Sequence, residues 1–193
     1  MKRLEISMLF ALIFTAVVSF IAFEGQCGEI RESVLRMHIL ANSDSKEDQE
    51  LKLKVRDRLL SESDAVFESC TDLAQAVDAA QRAKGIFESA AREEIKKNGF
   101  DYPVRVEIGV SRFDTREYEK VTLPAGKYEA VNVYIGSASG HNWWCVMFPQ
   151  LCLSAATGNE LETVLTGEQE NIVEGGYKVE FYLVELWEKM MSR

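Results

Sequence analysis

Proline is scarce in this 193-residue chain, with three in all, and no run of Gly and Ser exceeds five residues. No obvious linker therefore divides it. Histidine is scarcer still, at two residues, and no HExxH, CxxC or GxSxG element is present. Zinc chemistry is left without ligands and serine chemistry without a nucleophile elbow. Phosphate-cradling Gly-rich loops are missing, and no internal repeat of the solenoid kind is visible. Basic residues are in deficit: 22 Lys and Arg face 31 Asp and Glu, a net charge of −9. So acidic a chain repels phosphate backbones, which argues against general nucleic-acid binding and against docking on anionic lipid through a basic patch.

What the chain does carry begins at its N-terminus. Lys2 and Arg3 precede an uncharged run over residues 6–23. A short positive region followed by an apolar one is the order an export signal needs. The run is 18 residues long, close to the roughly 17–25 that cross a bilayer as a helix, so an uncleaved anchor fits as well. A buried core helix would share that length, but such a run behind a basic N-terminus is rare in soluble cores. Gly25 and Cys27 are the best small-residue pair for cleavage, releasing a chain that starts at Gly28, although Phe23 and Glu24 beside them make a poor peptidase site. EGQC lacks the Leu-Ala-Gly-type residues that precede a lipidated cysteine, which argues against a lipoprotein. Residues 1–27 are thus a signal peptide or membrane anchor. Residues 28–193 form one domain, with enough chain to bury a core.

Periodicity predicts an α+β fold, an antiparallel sheet packed by two N-terminal helices and a C-terminal helix. Residues 33–41 read as a strand, with Leu35, Met37 and Ile39 alternating against Arg36 and His38. Ser45 caps a helix running to about Leu60, whose apolar line is Leu51, Val55 and Leu59; Asp48 with Lys52 and Glu50 with Lys54 are expected as i,i+4 pairs on its wet side. A second helix starts near Thr71 or Asp72 and stops at Asn98-Gly99. The period then changes to two: Val104, Val106, Ile108 and Val110 point one way, Arg105 and Glu107 the other. A weaker strand is expected over 117–123, a turn at Pro124-Ala125-Gly126, a strand over 128–135, a Gly/Ser turn over 136–140 and an apolar strand over 142–148. Residues 153–176 give no clear pattern. Residues 179–191 read as a short strand turn into an amphipathic helix carrying Leu183, Val184, Trp187 and Met191.

Few residues offer chemistry. Cys145 and Cys152, seven positions apart in an exported chain, can form a clamping disulfide or stand as two buried thiols. Trp143 and Trp144 are adjacent, so in a strand they face opposite sides. One is either an exposed anchor for a partner or is covered by the C-terminal helix. His141 precedes Cys145 by four positions, a span of about 13 Å in a strand, too far for a nucleophile pair unless the turn folds back. Asp44, Asp48, Glu107 and Glu129 are the carboxylates available for acid/base work, and nothing in the sequence draws them together. No catalytic residue, metal or cofactor is expected.

Residues 34–60 (VLRMHILANSDSKEDQELKLKVRDRLL), residues 122–152 (TLPAGKYEAVNVYIGSASGHNWWCVMFPQLC) and the closing YKVEFYLVELWEKM resemble the stage II sporulation protein R family of endospore-forming Firmicutes. The resemblance implies a developmental signal made in the forespore and exported into the space between forespore and mother cell, either secreted or membrane-anchored. There it would activate a membrane-embedded aspartic protease of the mother cell, which removes the pro-sequence of sporulation sigma factor E. It implies an activator with no catalytic residues to transfer. The motif residues Asn42, Asp44, Trp143 and Trp144 are then the candidates for the partner surface. The competing expectations are an exported cell-envelope enzyme acting on peptidoglycan through carboxylates, and a membrane-tethered spacer in the septum.

Overall fold

Alternating apolar residues along several segments build the centre of the molecule. The computed structural model describes residues 2–117, 122–149 and 178–191. Its strands are β1 (Leu35–Leu40), β2 (Val104–Phe113), β3 (Arg116–Glu117), β4 (Thr122–Leu123), β5 (Gly126–Ile135) and β6 (Asn142–Phe148). Its helices are α1 (Lys2–Arg31), α2 (Lys46–Phe67), α3 (Leu73–Lys97) and α4 (Lys178–Met191). Four strands form one sheet in the order β2-β5-β1-β6, and β3 pairs with β4 apart from it.

The α+β class stands, with one difference in the sheet. β2 with β5 and β1 with β6 are antiparallel, but β1 and β5 run parallel, with Met37 opposite Val131 and Ile39 opposite Val133. Alternation serves either strand direction equally well, so the pattern that places these residues inward leaves direction open. The expected weaker strand is the β3–β4 pair, Arg116 opposite Leu123 and Glu117 opposite Thr122.

The inner face of the sheet packs on α2 and α3. Leu35, Met37, Ile39, Val131, Val133 and Ile135 meet Leu51, Val55 and Leu59 from α2 and Ala80, Phe87, Ala91 and Ile95 from α3 in one buried cluster. Both helices start as anticipated: Asp48 N–H donates to the Ser45 hydroxyl, and Gln75 N–H to the Asp72 carboxylate. α3 ends at Asn98, with Gly99 at φ +84°. α2 does not end near Leu60 but continues to Phe67. Its last turns bury Ser63, whose hydroxyl donates to Leu60 O at 2.7 Å, and Phe67, whose ring meets Phe148 edge-on.

The outer face carries a second, smaller core. Phe113, Tyr128, Ala130 and Val146 are covered by Cys27 and Ile30 of α1 and by Val184 of α4, with Phe20, Phe23 and Trp144 at the rim. α1 therefore has two regimes. Residues 3–19 are exposed on every side, and from Phe20 onward one stripe turns inward. Arg31, in the last turn, donates to Ala125 O at 3.0 Å and to Glu24 at 2.5 Å, tying that end to the turn before β5. α4 is helical from Lys178, including the segment expected as a strand turn.

Candidate functional site

Strand register draws the four candidate residues to one end of the sheet. Leu40 lies opposite Asn142 and Ile39 opposite Trp143, so the turn holding Asn42 and Asp44, just past β1, meets the start of β6. The Gly/Ser turn after β5 closes over the same place. Asn42 is the pivot. Its Nδ2 donates to Asp48 Oδ2 at 2.8 Å, its Oδ1 accepts from Ser137 N at 3.0 Å, and its backbone oxygen accepts from the hydroxyls of Ser137 and Ser139 at 2.6 and 2.7 Å. Ser43 donates to the same Asp48 oxygen at 2.6 Å. Such approach requires glycine on the facing loop: a Cβ at Gly136, where φ is +58°, would collide with the Asn42 side chain, and one at Gly140 with the Ser43 backbone.

Below this latch, Lys52 Nζ donates to His141 O at 3.0 Å and to Gln49 Oε1 at 2.6 Å, while Gln49 donates to Ser43 O. Asp48 and Lys52 are thus buried and joined to the two loops, not paired with each other on a wet helix face. Glu50 pairs instead with Lys46, and Lys54 reaches Asn98. Burial holds the Lys52 ammonium below its usual range, with Asp44 opposing it only in part. Burial alone would raise Asp48, but hydrogen bonds from Ser43, Asn42, Tyr102 and Ser45 together hold its carboxyl below the usual range.

Asp44 and His141 form the outward part. Asp44 Oδ1 lies 2.5 Å from His141 N and 2.5 Å from His141 Nδ1, and both side chains are more than half exposed. The imidazole and backbone N–H of His141 hold the Asp44 carboxyl below its usual range. His141 is therefore turned toward Asp44. Cys145 is buried on the inner face and disulfide-bonded, so it offers no thiolate to that histidine. Cys27 and Cys70 are free, and Cys152 lies outside the described residues.

The tryptophans take opposite faces, as their adjacency requires. Trp143 packs at the edge of the inner core with the Arg56 guanidinium 4.5 Å from its ring centre. Trp144 packs at the edge of the outer core, stacked on His38 at 5.3 Å with Arg116 3.9 Å above it. Both rings are half-buried between a cation and the sheet. Burial pushes the His38 imidazole down, against hydrogen bonding toward Asn142 and Asn132 that favours the protonated ring. The structure thus gathers Asn42, Asp44 and His141 at one apex and sets the two indoles on either side beneath it.

The remaining carboxylates do not meet. Glu107 pairs with Arg105 at 2.6 Å, and Glu129 sits opposite Val110. Among the described residues no three His, Cys, Asp or Glu side chains are placed to hold a metal ion. Ser137, Ser139, Gln49 and Lys52 were not anticipated as parts of the apex. The only local signal was the pair of glycines bounding the 136–140 turn, whose spacing lets two backbones touch.

The fold and apex together define a class: an α+β domain carrying a hydrogen-bonded loop junction, behind an apolar N-terminal helix consistent with a signal peptide or export. Residues 31–158 match the family described as stage II sporulation protein R. The stage II sporulation protein R of Bacillus subtilis (strain 168) is 31% identical over 186 residues, covering 84% of this chain and 83% of that one. This chain belongs to the stage II sporulation protein R family. No solved structure matches it significantly.

Proposed function

We propose that the protein is a non-enzymatic exported signal that activates a membrane-embedded aspartic protease of the mother cell, leading to removal of the pro-sequence of sporulation sigma factor E. Membership of the family over residues 31–158 carries this reading. The apolar helix α1 supports export of the domain from the forespore into the intermembrane space. The apex supports recognition by shape. Its loops are cross-bonded through Asn42, Asp48, Ser137 and Ser139, so Asp44 and His141 are presented with little conformational entropy left to lose on binding. Residues 28–193 act as the signalling domain. Activation follows from linkage: the domain binds the active receptor conformation more tightly than the inactive one, and it shifts the equilibrium by that difference alone.

The test is a deletion strain of a sporulating host, scored by immunoblot for processing of the pro-sigma factor. Processing is expected to stop, to return with the wild-type gene, and to fall in graded fashion with Asp44→Ala and His141→Ala. Processing on schedule without the gene would sink the proposal. Complete loss from a single Asp or Glu substitution in a folded protein, with turnover of peptidoglycan by the purified chain, would favour the envelope enzyme instead.

A further inference from the structure

Among the described residues, the C-terminal helix presents an apolar stripe that is left open. Leu183, Leu186, Trp187 and Met190 are 46, 48, 44 and 61% exposed, and their spacing of i, i+3, i+4, i+7 puts all four on one side of α4. Val184, next to that stripe, is fully buried in the outer core, which fixes the rotation of the helix. Glu185 and Lys189, joined at 2.6 Å, fall away from the stripe. A helix apolar on its open side and charged on the other is built to lie against an apolar medium.

The position of the stripe identifies that medium. The Trp187 ring meets Phe20 of α1 edge-on at 6.1 Å. Phe20 lies three residues before the end of the uncharged run 6–23, about 4.5 Å short of it at 1.5 Å per residue. That run spans about 27 Å as a helix, nearly the thickness of a bilayer's hydrocarbon core. Trp187 therefore sits at the depth where indole rings gather in membranes and where interfacial helices bury their apolar side by about 5–10 Å. Leu183 and Met190 lie within about 6 Å of it along the helix axis. Lys2 and Arg3 at the other end of α1 orient the anchor with its N-terminus in the cytoplasm and the domain outside. Cys27 and Ile30 are fully buried in the outer core, so cleavage before Gly28 would cut through packed structure.

We infer that α1 stays attached and that the Leu183, Leu186, Trp187 and Met190 stripe of α4 contacts the lipid of the membrane α1 spans, giving the domain a second foothold at the bilayer surface. The apex at the end of β1 is then presented in a set orientation, not on a swivelling tether. This holds whichever protein recognises the apex.

The test uses full-length protein in phosphatidylcholine vesicles containing lipids brominated near the glycerol end of the acyl chain. Wild-type emission is expected to lose the share belonging to one of its three tryptophans, and Trp187→Phe to lose nothing. The double variant Leu186→Glu with Met190→Glu, both at exposed positions, is expected to float with the vesicles through α1 but to show no quenching. Equal quenching of wild type and Trp187→Phe overturns the inference. So does an unquenched wild type, whether monomeric or a dimer that the double variant dissociates, which would assign the stripe to a second copy. Intact-mass measurement of protein recovered from cell membranes should find residues 1–27 present, and a chain starting at Gly28 overturns it as well.

Discussion

Leu35, Met37 and Ile39 on one side of β1 join a large cluster that is mostly aliphatic and alanine, with Phe67, Phe87 and Phe148 among its members, whereas Arg36 and His38 on the other side of the same strand lie directly against rings. The Arg36 guanidinium is fully buried, 4.1 Å from the centre of Phe113 and 4.9 Å from that of Tyr128, and His38 stacks on Trp144. The inner face is covered by α2 and α3, which lie between β1 and β2 in sequence. The outer face is covered by the last turns of α1 and by α4, the two ends of the chain. One face thus closes with consecutive elements, while the other closes with two helices far apart in sequence.

The largest effect should come from the inner face. Phe87 is fully buried between α3 and the sheet, and Phe87→Ala is expected to cost about 4 kcal/mol, read from the shift of a denaturant midpoint. Ile30→Ala tests the outer face and should cost about 3 kcal/mol if α1 is structural. No measurable cost would break the comparison, because α1 would then be dispensable to folding. A loss seen by Trp144 fluorescence before helix unfolding would sharpen it, showing that the two faces open as separate units.

The junction of the loops should respond less than either core. Gly140→Ala forces a Cβ against the Ser43 backbone and is expected to cost about 2 kcal/mol through local overpacking. It should also reduce signalling by displacing Asp44 and His141. Signalling unchanged at wild-type protein levels would remove the apex from consideration as the recognition surface.

The inner face was legible in the sequence because its residues repeat at the period of their own element: Val131, Val133 and Ile135 at two, Leu51, Val55 and Leu59 at four. Adjacency alone also told that Trp143 and Trp144 would part. What escaped was set by partners distant in sequence. Lys52 reaches His141 O, 89 residues away, so nothing near it showed that it would leave the wet side of α2. The continuation of α2 past Leu60 hid behind Ser63, which looks polar until its hydroxyl is bonded inside the helix. The parallel pairing of β1 with β5 depends on how the chain returns through α2, α3 and β2, which no short window contains. At the apex, the family motif pointed to Asn42 and Asp44, but only the fold shows that Asn42 is spent on internal bonds while Asp44 faces outward.

Acid should separate the two faces in order, with the smallest effect last. His38, on the outer face, has its imidazole pushed below the ordinary value of about 6.5 by burial, ahead of the opposing bonds it makes to Asn142 and Asn132. Its folded form therefore binds a proton less readily than its unfolded form, so stability is full above that value and falls as pH drops toward the folded one. Asp48, in the first turn of α2, is held below the ordinary carboxylate value of about 3.9 by the bonds from Ser43, Asn42, Tyr102 and Ser45 that outweigh its burial. Its contribution is complete above that value and disappears as pH falls through the lower folded one. Thermal midpoints measured across pH should thus decline in two stages. His38→Gln is expected to remove the first stage. Asp48→Asn should remove the second, worth about 1 kcal/mol for the lost hydrogen bonding. A single acid transition unchanged by His38→Gln would show that the outer face does not feel its half-buried imidazole.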